Sequence, residues 1–176
     1  DGTQGWVNVL DSTSNVRAEA FIAATVSGAC NTLATAPDCA NTKIATFVSP
    51  GTLCVSATGT GANAIVSYLI VGGGGGGGSG SGGGGGGAGG GFREIKSPSA
   101  TGYGVSPLEG YATPANRVPV SVQGYSIVVG GGGAGQPAPL SDNGDGSSGV
   151  ASSFGGISSA GGGYGAGQGG GPAAPP

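Results

Sequence analysis

Four acidic side chains of this 176-residue chain have the chemistry of a general acid or base: Asp11, Glu19, Glu94 and Glu109. They are isolated along the sequence, and a lone carboxylate is far more often a solvated surface group. Serines are plentiful, but the chain has no histidine to activate one as a nucleophile, and no G-x-S-x-G elbow lies between a strand and a helix. The sequence therefore predicts a protein that is not an enzyme and uses no cofactor.

Two other groups of residues are candidates for metal or disulfide chemistry. The segment 142–146, Asp-Asn-Gly-Asp-Gly, lacks the alternating ligands and the closing Glu of a calcium loop, so a plain turn is the preferred interpretation. Without histidine or C-x-x-C spacing, the cysteines indicate no metal site. Cys30 and Cys39 flank a polar loop and are a candidate disulfide, with pairing left open. Cys54 is interpreted as a small buried hydrophobe.

Charge and hydropathy exclude other classes of function. Charged residues make up 7% of the chain and the net charge is −3, which leaves no basic patch for nucleic acid. The apolar run 65–71 is far too short to cross a bilayer, so no membrane insertion is expected. The chain begins with Asp1 and has no charged segment before an apolar core, which favours a processed product or a fragment. Low charge, many Ser and Thr residues and much glycine indicate an extracellular or virion-exposed structural protein.

Glycine divides the chain into two parts, because only six of its 45 glycines precede Val71. We expect a small β module over residues 1–71 and a glycine-rich domain over residues 72–176. A flexible linker is the alternative, but apolar residues bracket the glycine runs. Polyproline-II-type helices have no internal hydrogen bonds, so every backbone amide can bond to a neighbouring helix. A run of glycine alone, such as 72–78, has no side chains and can therefore be surrounded by other helices on all of its faces. The predicted fold class is therefore mostly β or irregular, with a bundle of polyglycine-II helices, long loops and almost no α-helix.

Short apolar segments of the N-terminal part predict strands. The segment 43–48, a Pro-Gly turn at 49–52 and the segment 53–56 predict a hairpin, and residues 64–71 predict a strand that leads into the first glycine run. Residues 16–24 suit a short helix or a strand equally. The remaining candidate strands are Trp6–Leu10 and Ala20–Ile22.

Two excursions interrupt the glycine runs, over residues 92–124 and 136–153. The first contains four prolines and the second contains two more. Excursions between members of a bundle must emerge at its ends, and exposed connections are where binding residues concentrate. Both are therefore predicted to be binding loops.

The order of these motifs resembles the glycine-rich tail-fibre proteins of marine bacteriophages over nearly the whole chain. The motifs concerned are Tyr68-Leu-Ile-Val before a glycine run, Gly-Gly-Gly-Phe92-Arg93-Glu94, Ser106-Pro107-Leu108, the segments 120–135 and 153–163, and the upstream elements 1–6 and 47–54. More loosely, the chain is similar to the adhesin tips of T-even-like phages in their use of polyglycine helices and connecting loops. The β module and the long 92–124 excursion depart from those tips.

The resemblance implies a non-enzymatic tail-fibre or adhesin module on the virion, outside the cell. It implies binding to a glycan or protein of the host surface, and assembly as a homo-oligomer or with other fibre subunits. Candidate receptor contacts are chosen because aromatics and arginine offer large contact areas with polar groups: Arg93, Tyr103, Glu109, Tyr111 and Arg117. The simpler interpretation is that Tyr111 packs on a glycine layer and Arg117 pairs with Glu109. The alternative function is a structural subunit of an extracellular filament, assembled through its N-terminal β segment.

Overall fold

The computed structural model describes residues 21–37, 39–80, 82–100, 103–136 and 144–168. Its regular elements are mostly short strands. They are β1 Ala23–Val26, β2 Thr32–Ala36, β3 Cys39–Thr46, β4 Gly51–Ala57, β5 Ile65–Val66, β6 Tyr68–Val71, β7 Phe92–Ile95, β8 Val118–Pro119, β9 Gly124–Val128, β10 Ser152–Phe154 and β11 Ile157–Ser159. Two 3-10 helices cover Gly61–Ala64 and Pro114–Asn116.

Five of these strands form one antiparallel sheet in the order β1-β4-β9-β10-β11. The other strands form three antiparallel pairs, β2 with β3, β5 with β8 and β6 with β7. In the large sheet Leu53 of β4 lies opposite Val26 of β1 and Tyr125 of β9. Strands of the ranges 1–71 and 72–176 therefore share a sheet, and the proposed domain division stays a prediction.

The hydrophobic core follows from side-chain alternation along these strands. Leu53 and Val55 of β4 are buried, and Cys54 between them is exposed. The interpretation of Cys54 as a buried hydrophobe is therefore wrong, because its position in the pleat faces it away from the core. The two β4 side chains pack in one cluster with further buried residues of other strands and their flanks. These are Ile70, Val118, Val120, Ile127 and Phe154.

Five glycine-rich segments run beside one another and are called here the glycine layer: residues 72–79, 84–91, 130–136, 144–150 and 160–168. Apart from one isolated bridge between Ser79 and Gly144, they contain no strand or helix. Their backbone groups bond across segments, as in Gly75 N to Ala88 O at 2.8 Å and Gly76 N to Ser147 O at 2.8 Å. The layer also contains residues 144–150 of the predicted 136–153 loop, whose residues 137–143 lie outside the described ones.

The predicted fold class is wrong. The molecule is a β-rich antiparallel sheet fold with about 35% strand and 5% helix, and it is not a bundle of polyglycine-II helices behind a small β module. The prediction treated the glycine runs as the organising elements. A glycine run has no side chains to bury, so the core forms instead between the strands that flank the runs, such as β6, β9 and β10.

The predicted hairpin between residues 43–48 and 53–56 is also wrong. Both segments contain strand, but β3 pairs with β2 while β4 pairs with β1 and β9. The Asn31 side chain explains the change: its Oδ1 accepts from the N–H groups of Val48 and Ser49, and its Nδ2 donates to the carbonyls of Ser27 and Ser49. These bonds fasten the 48–50 connection to the β1–β2 turn, so β3 and β4 separate.

Two other strand predictions are only partly matched. The expected strand at 64–71 is interrupted at Ser67, whose Oγ accepts a hydrogen bond from Ser97 N at 2.9 Å. Phe21 and Ile22 of the predicted strand Ala20–Ile22 precede β1 and are in no strand, whereas residues 23 and 24 of the segment 16–24 belong to β1. The predicted strand at 6–10, the carboxylates Asp11 and Glu19, and residues 16–20 lie outside the described residues.

Candidate functional site

All five predicted receptor contacts lie between the start of β7 and the start of β8. The segment between the two strands, residues 96–117, is called here the 96–117 loop; its residues 101 and 102 lie outside the described ones. At one end β7 pairs with β6, with Ile95 opposite Tyr68. At the other end β8 pairs with β5, with Val118 opposite Val66. Both ends of the loop are thus anchored to the neighbouring residues 65–71.

Two carboxylates organise the backbone of this loop. Oε1 of Glu109 accepts from Lys96 N at 3.0 Å and from Tyr111 N at 2.7 Å. Oε2 of Glu94 accepts from Ser106 N at 3.1 Å. Glu94 and Glu109 also form an isolated parallel bridge. Glu94 and Glu109, two of the four acids considered for catalysis, therefore bind backbone N–H groups, which are natural partners of partly buried carboxylates.

Two cationic side chains contact two tyrosines of the loop, each through the same two kinds of interaction. The guanidinium of Arg117 lies 4.3 Å from the ring centroid of Tyr111, and its Nε donates to the Tyr111 carbonyl at 2.9 Å. The Lys96 ammonium lies 4.7 Å from the ring centroid of Tyr103 and donates to the Tyr103 carbonyl at 2.6 Å. Each pair combines a cation–π contact with a charge-assisted hydrogen bond.

The structure brings together some of the predicted contacts and separates others. Tyr111 lies against Arg117, and Glu109 is bonded to the Tyr111 backbone, so these three residues form one group. The described Glu109 and Arg117 have these other partners and do not form the expected ion pair. Tyr111 packs on Arg117. Arg93 lies on β7 opposite Ile70, apart from the group.

Tyr68 connects this loop to the core. Its hydroxyl donates to the Asn116 carbonyl at 2.7 Å, and its ring meets Phe154 edge-on with the centroids 6.3 Å apart. Burial raises the pKa of the Tyr68 phenol, and the positive charge of Arg93 partly opposes that shift. The hydrogen bond from the Tyr68 phenol to the Asn116 carbonyl therefore ties the loop to the core, and the raised pKa keeps that phenol protonated.

A cavity of about 390 Å³ opens beside the loop, where β7 meets the glycine layer. Arg93, Glu94 and Phe92 of β7 line it, together with Asn116 of the loop and Ser159 of β11. Sequence reasoning named Arg93 as a contact but missed Lys96, Asn116 and Ser159. Nothing in their local sequence distinguishes them, because their roles depend on strand pairing that the predicted fold did not include.

Cysteine and metal chemistry receive little support from the described residues. Cys30 and Cys54 are exposed and form no disulfide with each other. The Cys39 side chain lies outside the described residues, so the Cys30–Cys39 disulfide stays a prediction. The described residues contain no group of three His, Cys, Asp or Glu side chains that could hold a metal ion. Of the 142–146 segment, Asp145 accepts from Gly167 N at 2.8 Å, while Asp142 and Asn143 lie outside the described residues.

In the part of the chain that the structure describes, no helix has the length and apolar character needed to span a membrane. Comparisons with curated proteins and with solved structures gave no match. A family model described as a glycine-rich domain matches residues 49–175, which include the whole 96–117 loop and the whole glycine layer. Because this match covers well over half of the sequence, the chain belongs to the family of this glycine-rich domain.

Proposed function

We propose that this chain is a non-enzymatic module of a bacteriophage tail fibre that binds a receptor on the surface of the host cell. The 96–117 loop is the binding element. The observation that carries the proposal is that side-chain bonds fasten the described part of this loop while it exposes large apolar groups. Leu108 is 69% exposed, and Tyr103 is 44% exposed.

The hydrogen bonds of Glu94 and Glu109 support this proposal energetically. They fix the loop backbone before any ligand arrives, and two more bonds from Lys96 and Arg117 fix the tyrosines. A loop that is ordered in advance loses less conformational entropy on binding, which improves affinity. A recognition surface needs a loop whose backbone is ordered in this way. A loop that only connects two strands has no such need.

The proposed partner is a glycan or a protein of the host surface. Tyr103 and Tyr111 present flat apolar faces that end in hydroxyl groups, and tyrosine is enriched at binding hot spots. In this proposal the chain is extracellular, on the virion, and assembles with further copies of itself or with other fibre subunits. The low net charge of −3 limits repulsion from a negatively charged cell surface.

Competition with intact virions tests the proposal. The purified chain should reduce phage adsorption to host cells, and the double variant Tyr103→Ala/Leu108→Ala should compete much less well. Val122→Ala is the matched control, because Val122 is 63% exposed but lies outside the loop. If the purified chain does not compete at any concentration, or if both variants compete as well as the parent, the loop is not an adhesin surface.

One observation favours a second candidate, the structural subunit of an extracellular filament. Among the described residues β1 is an edge strand of the five-stranded sheet, and an unpaired edge can accept a strand from a neighbouring subunit. Near it, Phe21, Leu33 and Ile44 line an apolar cleft of about 1320 Å³. Electron microscopy of purified particles separates the two candidates: a fibre module occurs in few copies at a tail, whereas a filament subunit repeats along a helical axis.

A further inference from the structure

We infer that the host-surface receptor of this chain is a protein with an apolar pocket, and that residues 103–108 of the 96–117 loop bind in that pocket. The inference rests on the proposed function, which leaves a glycan and a protein open as the receptor. Residues 103–108, Tyr-Gly-Val-Ser-Pro-Leu, are called here the 103–108 segment. All six are described, and none belongs to a strand or a helix. The chemistry that this segment exposes favours the protein.

The 103–108 segment exposes its apolar side chains and half-buries its serine. Leu108 is 69% exposed, Val105 is 46% exposed, and Pro107 is exposed as well. Ser106 lies between them and is half-buried, and its Oγ accepts a hydrogen bond from Leu108 N at 3.2 Å. Single exposed apolar residues are ordinary, but neighbouring ones mark a surface that contacts another molecule. The segment therefore has the character of a docking surface.

The charged side chains that contact this segment are bonded to its backbone. Oε2 of Glu94 accepts from Ser106 N at 3.1 Å, and the Lys96 ammonium donates to the Tyr103 carbonyl at 2.6 Å. The 103–108 segment itself contains no charged residue. Charged residues are depleted in the core of protein–protein interfaces, where aromatic residues are enriched. The complement of this uncharged surface is an uncharged, apolar pocket on the receptor.

A sugar ring would find few hydrogen-bond partners on the same surface. Each sugar hydroxyl that is buried against the protein needs a partner, because an unpaired buried polar group costs free energy. Tyr103 is the one exposed residue of the 103–108 segment with a polar side-chain group. Burial of the aliphatic Val105 and Leu108 is favourable in proportion to the apolar area removed from water. A protein pocket lined by apolar side chains supplies that burial, and a ring of hydroxyl groups does not.

Leu108 is the side chain that we place deepest in the pocket. It is the most exposed large apolar side chain among the described residues. The backbone beside it is fixed by two bonds to Ser106: Leu108 N donates to the Oγ, and Glu109 N donates to the carbonyl at 3.1 Å. A backbone that is already fixed loses less conformational entropy when the side chain is buried by a partner.

Binding of the fluorescently labelled, purified chain to host cells tests the inference. Three samples are compared: untreated cells, cells treated with proteinase K, and cells whose glycans are oxidised by periodate. The chain should bind the untreated and the periodate-treated cells. It should lose binding after proteinase treatment, because the receptor is then degraded.

Two variants test the role of the 103–108 segment in the same assay. Leu108→Ala should weaken binding to untreated cells about tenfold, because it removes apolar area from the interface. Its melting temperature should stay unchanged, since the leucine is 69% exposed in the free chain. Val105→Ala should also weaken binding. Val122→Ala is the matched control, because Val122 is 63% exposed outside the loop, and it should bind as the parent does.

Loss of binding after periodate oxidation overturns the inference and makes the receptor a glycan, whether or not proteinase removes binding as well. Binding that survives proteinase overturns it too, as does a Leu108→Ala variant that binds as tightly as the parent. These results leave the adhesin role intact, because untreated cells still bind the chain. A chain that binds no untreated cells rejects the proposed function, and the inference is then rejected with it.

Discussion

Cations occupy one face of both tyrosines that the sequence offered as receptor contacts. Lys96 lies over Tyr103 and Arg117 lies over Tyr111. A ligand can therefore stack only on the opposite face of each ring, and the two cations set the direction in which those faces point. At the scale of single residues, Arg117 is thus better understood as a residue that positions Tyr111 than as a direct contact.

Replacement of Gly75 tests how closely the backbone segments of the glycine layer approach one another. A Cβ at Gly75 would overlap the carbonyl group of Gly163, whereas a Cβ at Gly86 would meet nothing within 4 Å. We expect Gly75→Ala to lower the free energy of unfolding by about 1–3 kcal/mol. Gly86→Ala should leave it unchanged or raise it by up to about 1 kcal/mol. Thermal or urea denaturation checks both, and equal stability of the two variants would contradict the close packing.

Removal of the Tyr68 hydroxyl tests the bond between the core and the loop. Tyr68→Phe loses the hydrogen bond to Asn116 and should cost about 1 kcal/mol at neutral pH. Burial raises the pKa of Tyr68 above its ordinary 10.0, so the folded protein keeps a proton that the unfolded chain releases. Its contribution to stability is therefore complete below pH 10 and is lost as the pH rises through the raised pKa.

The measurement is the difference in unfolding free energy between the parent and Tyr68→Phe as a function of pH. That difference should shrink above pH 10. Tyr103→Phe, which removes the hydroxyl of an exposed tyrosine, should show little effect at neutral pH. A difference that grows with pH would show that the phenolate, and not the phenol, is the form favoured by folding.

At the scale of elements, the sequence predicts the strands better than it predicts their partners. The alternation around Leu53 and Val55 locates β4, whereas no strand was predicted at 124–128, where β9 lies. The separation of β4 from β3 depends on Asn31, whose hydrogen bonds to Ser27, Val48 and Ser49 have no signature in the strand pattern. The hairpin of β10 and β11 has a signal in the sequence, the adjacent pair Gly155 and Gly156. A two-residue turn of this kind requires positive φ values, and these glycines have φ values of +55° and +84°.

The candidate site was predictable to a similar degree. Residue chemistry singled out Arg93, Tyr103 and Tyr111, all of which lie in or beside the 96–117 loop. It assigned Glu109 to the wrong partner, because the parallel bridge between Glu94 and Glu109 joins residues 15 positions apart in a loop without a repeating pattern. Ser159 was not predictable, because its burial depends on packing between β11 and β6 that the sequence does not specify.

Glu109 tests whether the loop owes its order to side-chain bonds. Glu109→Ala removes the acceptor for the N–H groups of Lys96 and Tyr111. We expect amide hydrogen exchange at those two residues to accelerate by about tenfold or more, while exchange in β4 and β9 stays unchanged. Glu109→Gln retains an acceptor and serves as the control. Exchange rates that are equal in both variants and the parent would show that the loop is ordered by other contacts.

At the scale of the whole molecule, the strands and the glycine layer have separate roles. The strands bury the side chains of the core, and the glycine layer brings its backbone segments into mutual hydrogen bonds without adding side chains. The family match from residue 49 to residue 175 begins at the turn before β4 and contains both parts. The loop that carries the proposed function lies between β7 and β8, so its composition can change while the sheet and the layer remain.

Exchange of the loop itself tests the central claim most directly. Residues 99–117 are replaced by the corresponding segment of a related tail fibre that adsorbs to a different host, and the melting temperature confirms that the fold is retained. The account predicts that adsorption changes from the original host to the host of the donor fibre. Full adsorption to the original host by the folded exchange variant would contradict it, and the structural filament subunit would then be the better proposal.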